Sequence, residues 1–116
     1  MKKKPVAFPG WGTLQYTGEV NTLDQPNGLG TAVHGYGGRY EGTFQAGSFV
    51  TGKAFWPDGS LLYEGEFKKG RWYGTGTAIF RDGTVETGRW KKGSLIDGTY
   101  TYPDGRVVKY VNGKAV

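Results

Sequence analysis

The sequence predicts an all-β protein: a single-layer antiparallel meander of stacked β-hairpin repeats, forming a curled sheet with an aromatic concave face. Three observations carry that expectation. Tyr63-Glu64-Gly65-Glu66-Phe67-Lys68-Lys69-Gly70 recurs about every 23 residues, as Tyr40-Glu41-Gly42-Thr43-Phe44-Gln45-Ala46-Gly47 before it and Glu86-Thr87-Gly88-Arg89-Trp90-Lys91-Lys92-Gly93 after it. A turn dipeptide keeps the same interval, at Asp58-Gly59, Asp82-Gly83 and Asp104-Gly105. Within a unit the side chains alternate with the period of a strand, never that of a helix. Repeats of this length cannot bury their apolar face alone and must stack on their neighbours.

Along the chain, residues 1–10 read as a basic N-terminal tail or edge segment, with Lys2-Lys3-Lys4 as a solvated charge run. The stretch from Pro5 to Gly10 is too short and broken for the apolar core of a signal peptide. Residues 11–116 form the array: about four repeats of roughly 23 residues plus partial ends. The first copy is degenerate, starting at Tyr16-Thr17-Gly18-Glu19-Val20 and keeping Gly28-Leu29-Gly30. In the best copy Tyr63, Gly65 and Phe67 point one way while Glu64 and Glu66 point the other. Lys69-Gly70 interrupts that strand, Gly74 to Phe80 forms the next, and Asp82-Gly83 turns the chain, because glycine accepts the positive φ of a tight turn. Gly65 and Gly76 leave gaps on which Tyr63, Phe67 or Trp90 can lie flat. A truncated copy, Tyr110-Val111-Asn112-Gly113, ends the array. The expected total is eight to ten short strands, on the order of one hairpin per repeat.

Composition narrows the function. The chain has 116 residues, with 22 Gly and no Cys, so neither disulfides nor thiolate metal sites exist. His34 is the only histidine, which excludes a His-based metal cluster and leaves no catalytic constellation. The acids Asp58, Asp82 and Asp104 recur with the repeat and read as turn residues. Gly74-Thr75-Gly76 lacks the third glycine and the helix of a nucleotide loop. The expectation is a non-enzymatic scaffold that binds a partner polypeptide on its aromatic concave face, with no metal and no cofactor; the alternative is peripheral association with anionic phospholipids through a basic rim. A net charge of +5 does not track a groove, so nucleic acid is not expected as a partner. Without an apolar run of about 18 residues, the protein is expected to be cytoplasmic, with peripheral contact to a membrane as the alternative.

The pattern Tyr-x-Gly-x-aromatic-x-x-Gly, then Gly-x-Gly, then Asp-Gly resembles the MORN (membrane occupation and recognition nexus) repeat. The copy from Tyr63 to Val85 matches at Tyr63, Gly65, Phe67, Gly70, Gly74, Gly76, Asp82 and Gly83. The copy from Tyr40 has Ala54 where a glycine belongs, and the copy from Glu86 lacks the leading Tyr. The resemblance implies the same sheet of hairpins and a role in docking partner proteins, homodimerisation or contact with anionic phospholipids. It also implies that such an array can serve as an accessory domain of a larger enzyme.

Two sets of residues stand out. Trp11, Phe49, Trp56, Trp72 and Tyr100 fall outside the repeat register and are expected to stand free on the concave face, where they would bind a partner polypeptide. Lys68, Lys69, Arg71, Arg89, Lys91 and Lys92 should form a ladder on one rim, a strip for anionic lipid headgroups or an acidic partner, with Glu64, Glu66 and Glu86 compensating part of it. The edge at Val107-Val108-Lys109-Tyr110-Val111 carries a single charge, so a homodimer through the C-terminal side is expected unless a short final segment folds over it.

Overall fold

In the computed structural model, which describes residues 2–8 and 11–116, the protein is one open antiparallel meander with no helix among the described residues. Eleven strands follow one another in chain order: β1 (Lys2–Phe8), β2 (Gly12–Val20), β3 (Pro26–Val33), β4 (Arg39–Gln45), β5 (Ser48–Phe55), β6 (Leu61–Lys68), β7 (Arg71–Ile79), β8 (Val85–Lys91), β9 (Ser94–Thr101), β10 (Val107–Val111) and β11 (Lys114–Ala115). The molecule is 48 Å long, which matches eleven strands spaced about 4.8 Å apart. The lysine run at the N-terminus is not a tail. It lies in β1, held by Phe8, which is 3% exposed and packs on Phe44 at 5.7 Å, and by an ion pair from Lys4 to Asp24.

Two kinds of turn alternate and give the sheet two different rims. On one rim, three-residue loops such as Pro57-Asp58-Gly59 close with the Gly59 amide on the Trp56 carbonyl and the Trp56 amide on the Ser60 carbonyl. The same bonds recur from Phe80 to Thr84 and from Tyr102 to Arg106, and Asp58, Asp82 and Asp104 each accept the amide two residues on. The Asp-Gly dipeptides are therefore turns, as the sequence predicts. On the other rim, past a longer β2–β3 turn from Asn21 to Gln25, four turns are two residues long: Ala46-Gly47, Lys69-Gly70, Lys92-Gly93 and Asn112-Gly113, all with positive φ at both positions. That backbone twists with the strands it joins.

Register explains how one layer buries a core. Eight glycines form an unbroken row, one per strand, from Gly18 on β2 through Gly65 and Gly76 to Gly98 on β9. In the adjoining row Tyr16, Tyr40 and Tyr63 alternate with Ala32, Ala54 and Ala78. Tyr40 and Tyr63 thus each have a small residue on either side, and Tyr16 has Ala32 on one side and Lys4 on the other. The Tyr63 ring lies over Gly76, and the Trp90 indole donates to the Gly76 carbonyl at 2.8 Å. Tyr16 and Tyr63 are fully buried. The sheet curls towards these rings far enough that the Trp11 indole, next to β2, donates to the Gly70 carbonyl at 2.7 Å on the far rim. The opposite face is polar, with Thr77 and Thr87 hydroxyls 2.7 Å apart and Lys53 paired to Glu64. At the C-terminal edge β11 folds back on Tyr110 and Val111, leaving Val107 exposed.

Burial pushes the Tyr63 hydroxyl up to about 12 from 10.0, with smaller upward shifts at Tyr16 and Tyr40 for the same reason. A raised pKa means that the unfolded chain gives up this proton first. The stabilisation is complete below pH 10 and is lost as pH rises through about 12. Urea midpoints followed by tryptophan fluorescence should fall across that window, and Tyr63→Phe should flatten the fall. A midpoint independent of pH between 9 and 12, tested at about half-unit steps, would contradict the burial of this hydroxyl.

Candidate anion-binding cleft on the lysine rim

The two-residue turns build the basic ladder. A turn at Lys69-Gly70 sets Lys68 opposite Arg71, Phe67 opposite Trp72 and Glu66 opposite Tyr73. Lys68, Arg71 and Tyr73 therefore leave the sheet on the face away from the rings. The next hairpin repeats this with Lys91 opposite Ser94. Lys69 and Lys92 sit at the turn tips with φ of 51° and 52°, a left-handed backbone that costs a side chain about 1 kcal/mol or more. Relaxed turns would carry Asn or Gly there; the chain puts cations at both.

Between these hairpins lies a cleft of about 430 Å³ lined by Lys68, Lys69, Arg71, Tyr73, Lys91 and Lys92. The Lys68 ammonium sits 4.9 Å from the centre of the Tyr73 ring. No carboxylate lines the cleft, and among the described residues none of its five cations forms an ion pair. None of the acids expected to neutralise the ladder lines the cleft. Glu64 pairs with Lys53 at 3.8 Å, and Glu66 accepts the Thr75 amide at 2.7 Å. Glu86 is on the aromatic face, in register with Ala78 and Tyr100. Arg89 does not line the cleft: it faces Asp97 across β8 and β9 and lines an adjoining depression with it, which shares Tyr73 and Lys91 with the cleft. Tyr73 is the member of the site that the repeat pattern does not single out. Its signal is the two-residue turn, which alternates Trp72 inward and Tyr73 outward.

The five rings expected to stand free do not share one environment. Phe49 is 3% exposed and belongs to the core. Trp72 stacks on Tyr63, with centroids 4.7 Å apart and planes 3° from parallel, and meets Trp90 edge-on at 5.1 Å. Trp11 stacks on Tyr40 at 4.0 Å and 1°. The expectation of an unfilled trough fails here because the sheet curls, so rings from distant strands cover one another. Phe49 and Trp72 are also not outside the register: they are the cross-strand partners of Phe44 and Phe67. Trp56 and Tyr100 remain half-exposed. Trp56 shares a groove of about 290 Å³ with His34, Tyr36 and Arg81 on the Asp-Gly rim, and Tyr36 is 68% exposed there. The His34 ring lies against Tyr36 and within 3.1 Å of the Trp11 carbonyl.

No helix in the structure is long and apolar enough to cross a membrane, and no group of His, Cys, Asp and Glu suited to hold a metal occurs among the described residues. The sequence matches no family model and no curated protein.

Proposed function

We propose that this chain is a non-enzymatic, MORN-like binding module that docks peripherally on anionic phospholipid surfaces through its lysine rim. The observation that carries the reading is the cleft itself: five cations from two hairpins with no carboxylate among them. Each lysine near an anionic leaflet contributes up to about 1 kcal/mol, and a rigid hairpin pair presents all five together. Leu23, 76% exposed at the β2–β3 turn, offers an apolar contact on the same rim, separated from the cleft by the β4–β5 hairpin.

Vesicle flotation tests this. The protein should float with phosphatidylserine-containing vesicles at low salt and be released at high salt, and should ignore neutral phosphatidylcholine vesicles. Lys69→Ala combined with Lys92→Ala should weaken binding roughly thirtyfold, about 2 kcal/mol. Absence of low-salt binding, or equal binding to both vesicle types, would reject the proposal. A second reading, a scaffold for a partner polypeptide, is favoured by the groove at Trp56, where the exposed Tyr36 ring has no repeat-imposed packing role. Trp56→Ala should abolish capture of such a partner while leaving vesicle flotation intact.

A further inference from the structure

The row of tyrosines on the aromatic face is broken once. Tyr16, Tyr40 and Tyr63 occupy three successive repeats, and the fourth place is held by Glu86. Tyr40 is covered by Trp11 and Tyr63 by Trp72. Leu95 stands where the next repeat would have Trp72, so no indole covers the fourth place. Glu86 is half-buried, and among the described residues it has no ion pair. Burial alone holds its carboxyl above the usual range. Its register partner on β9 is Tyr100, whose ring meets Tyr102 edge-on at 4.9 Å.

The chain shows what such a couple of ring and carboxylate holds. Arg39 lies 4.3 Å from the Phe55 ring and pairs with Glu41. Arg81 lies over Trp56 at 5.7 Å and pairs with Asp58 at 3.5 Å. Arg106 lies over Tyr102 at 4.6 Å and pairs with Asp104 at 2.7 Å. Three guanidiniums, each with a ring face on one side and a carboxylate at its edge, follow from one piece of chemistry. The planar fork matches a carboxylate, and its weakly hydrated face stacks on an aromatic. Glu86 and Tyr100 bring the same two groups together in a different arrangement, directly opposed across β8 and β9, and among the described residues no cation pairs with the carboxylate.

We propose that Glu86 and Tyr100 form a receptor for an arginine side chain of a partner polypeptide, the guanidinium lying over the Tyr100 ring while it forks onto the Glu86 carboxylate. Side chains directly opposed on neighbouring strands have Cβ atoms about 5 Å apart, so one guanidinium spans both. Charge complementarity selects the occupant: a carboxylate held among apolar neighbours gains most from a cation that is itself cheap to desolvate, and arginine is easier to desolvate than lysine. The site is on the aromatic face, away from the lysine rim, and stands or falls independently of vesicle binding.

The test is a heteronuclear NMR titration of the whole chain with capped Ala-Arg-Ala, and in parallel with its citrulline and lysine counterparts. The arginine peptide should give saturable shifts centred on Glu86 and Tyr100, with the citrulline and lysine peptides at least tenfold weaker. Glu86→Gln keeps the shape and removes the charge; it should bring the arginine peptide down to the citrulline level without lowering the melting temperature. Lys69→Ala with Lys92→Ala should bind the peptide as the parent does. Equal binding of arginine and citrulline peptides, no shift at Tyr100, or an unchanged affinity in Glu86→Gln would overturn the proposal. So would self-association abolished by Glu86→Gln, since it would assign the guanidinium to a second copy of this chain.

Discussion

Replacing Gly76 by alanine should cost the fold about 3 kcal/mol, at the upper end of overpacking penalties, and lower the melting temperature by roughly 12 °C. Gly76 has ordinary extended backbone, so strain is not the cause. A Cβ there would lie 2.7 Å from Cε1 of Tyr63 and would overlap the hydroxyl. Tyr63 has nowhere to go: it is 0% exposed, stacked under Trp72 and edge-on to Phe67 and Trp90. Its hydroxyl also donates to the Glu66 carbonyl at 3.0 Å, a bond that would break with the shift. Gly65, its partner in the glycine row, is constrained differently. A side chain there meets backbone first, Gly76 Cα at 2.5 Å, on a φ of +155°. Thermal melts of Gly76→Ala, Tyr63→Ala and the double variant separate these effects. If the ring is what Gly76 accommodates, the two changes are strongly non-additive, because Tyr63→Ala removes the clash. Additive losses would mean that Gly76 is needed for some other reason.

Much of this was legible in the sequence for a physical reason. Glycine in a strand is unfavourable unless something lies on it, and Gly76 follows Tyr63 by 13 residues much as Gly30 follows Tyr16 by 14. The lysine ladder was equally legible, since Lys68-Lys69 and Lys91-Lys92 share one register and a sheet must put them side by side. What periodicity does not show is the length of each turn. Read as a mere interruption, Lys69-Gly70 leaves Trp72 unassigned; read as a two-residue turn, it forces Trp72 opposite Phe67, and Ala46-Gly47 in the same way sets Phe49 opposite Phe44. The placement of Trp11 is less accessible still. It depends on curvature accumulated over several strands, helped by bulges that shift register just before Phe44 and Trp90. Glu64 and Glu66 illustrate the same limit for charge: proximity in sequence to the lysines says nothing of the Lys53 and Thr75 partners that engage them.

Trp72→Ala should destabilise the protein by about 3–4 kcal/mol, the range for deleting a large core aromatic, whereas Trp56→Ala should cost less than half as much. Both indoles are half-exposed, so area alone does not separate them. Their neighbours do. Trp72 covers Tyr63 face to face, meets Trp90 at 5.1 Å and Phe80 at 6.4 Å, and sits directly across from Phe67. Removing it uncovers a fully buried tyrosine and opens the ring cluster to water. Trp56 lies on the rim, with a long 3.3 Å bond to the Ile79 carbonyl and Arg81 over its outer face. Its deletion leaves a surface indentation that water can fill, not a cavity. Urea denaturation of the two variants discriminates directly. Equal losses would place both rings in the core and remove the Trp56 groove as a docking site. A Trp72→Ala variant as stable as the parent would mean that the stacked pair does not hold in solution, and that the aromatic face is open to a partner after all.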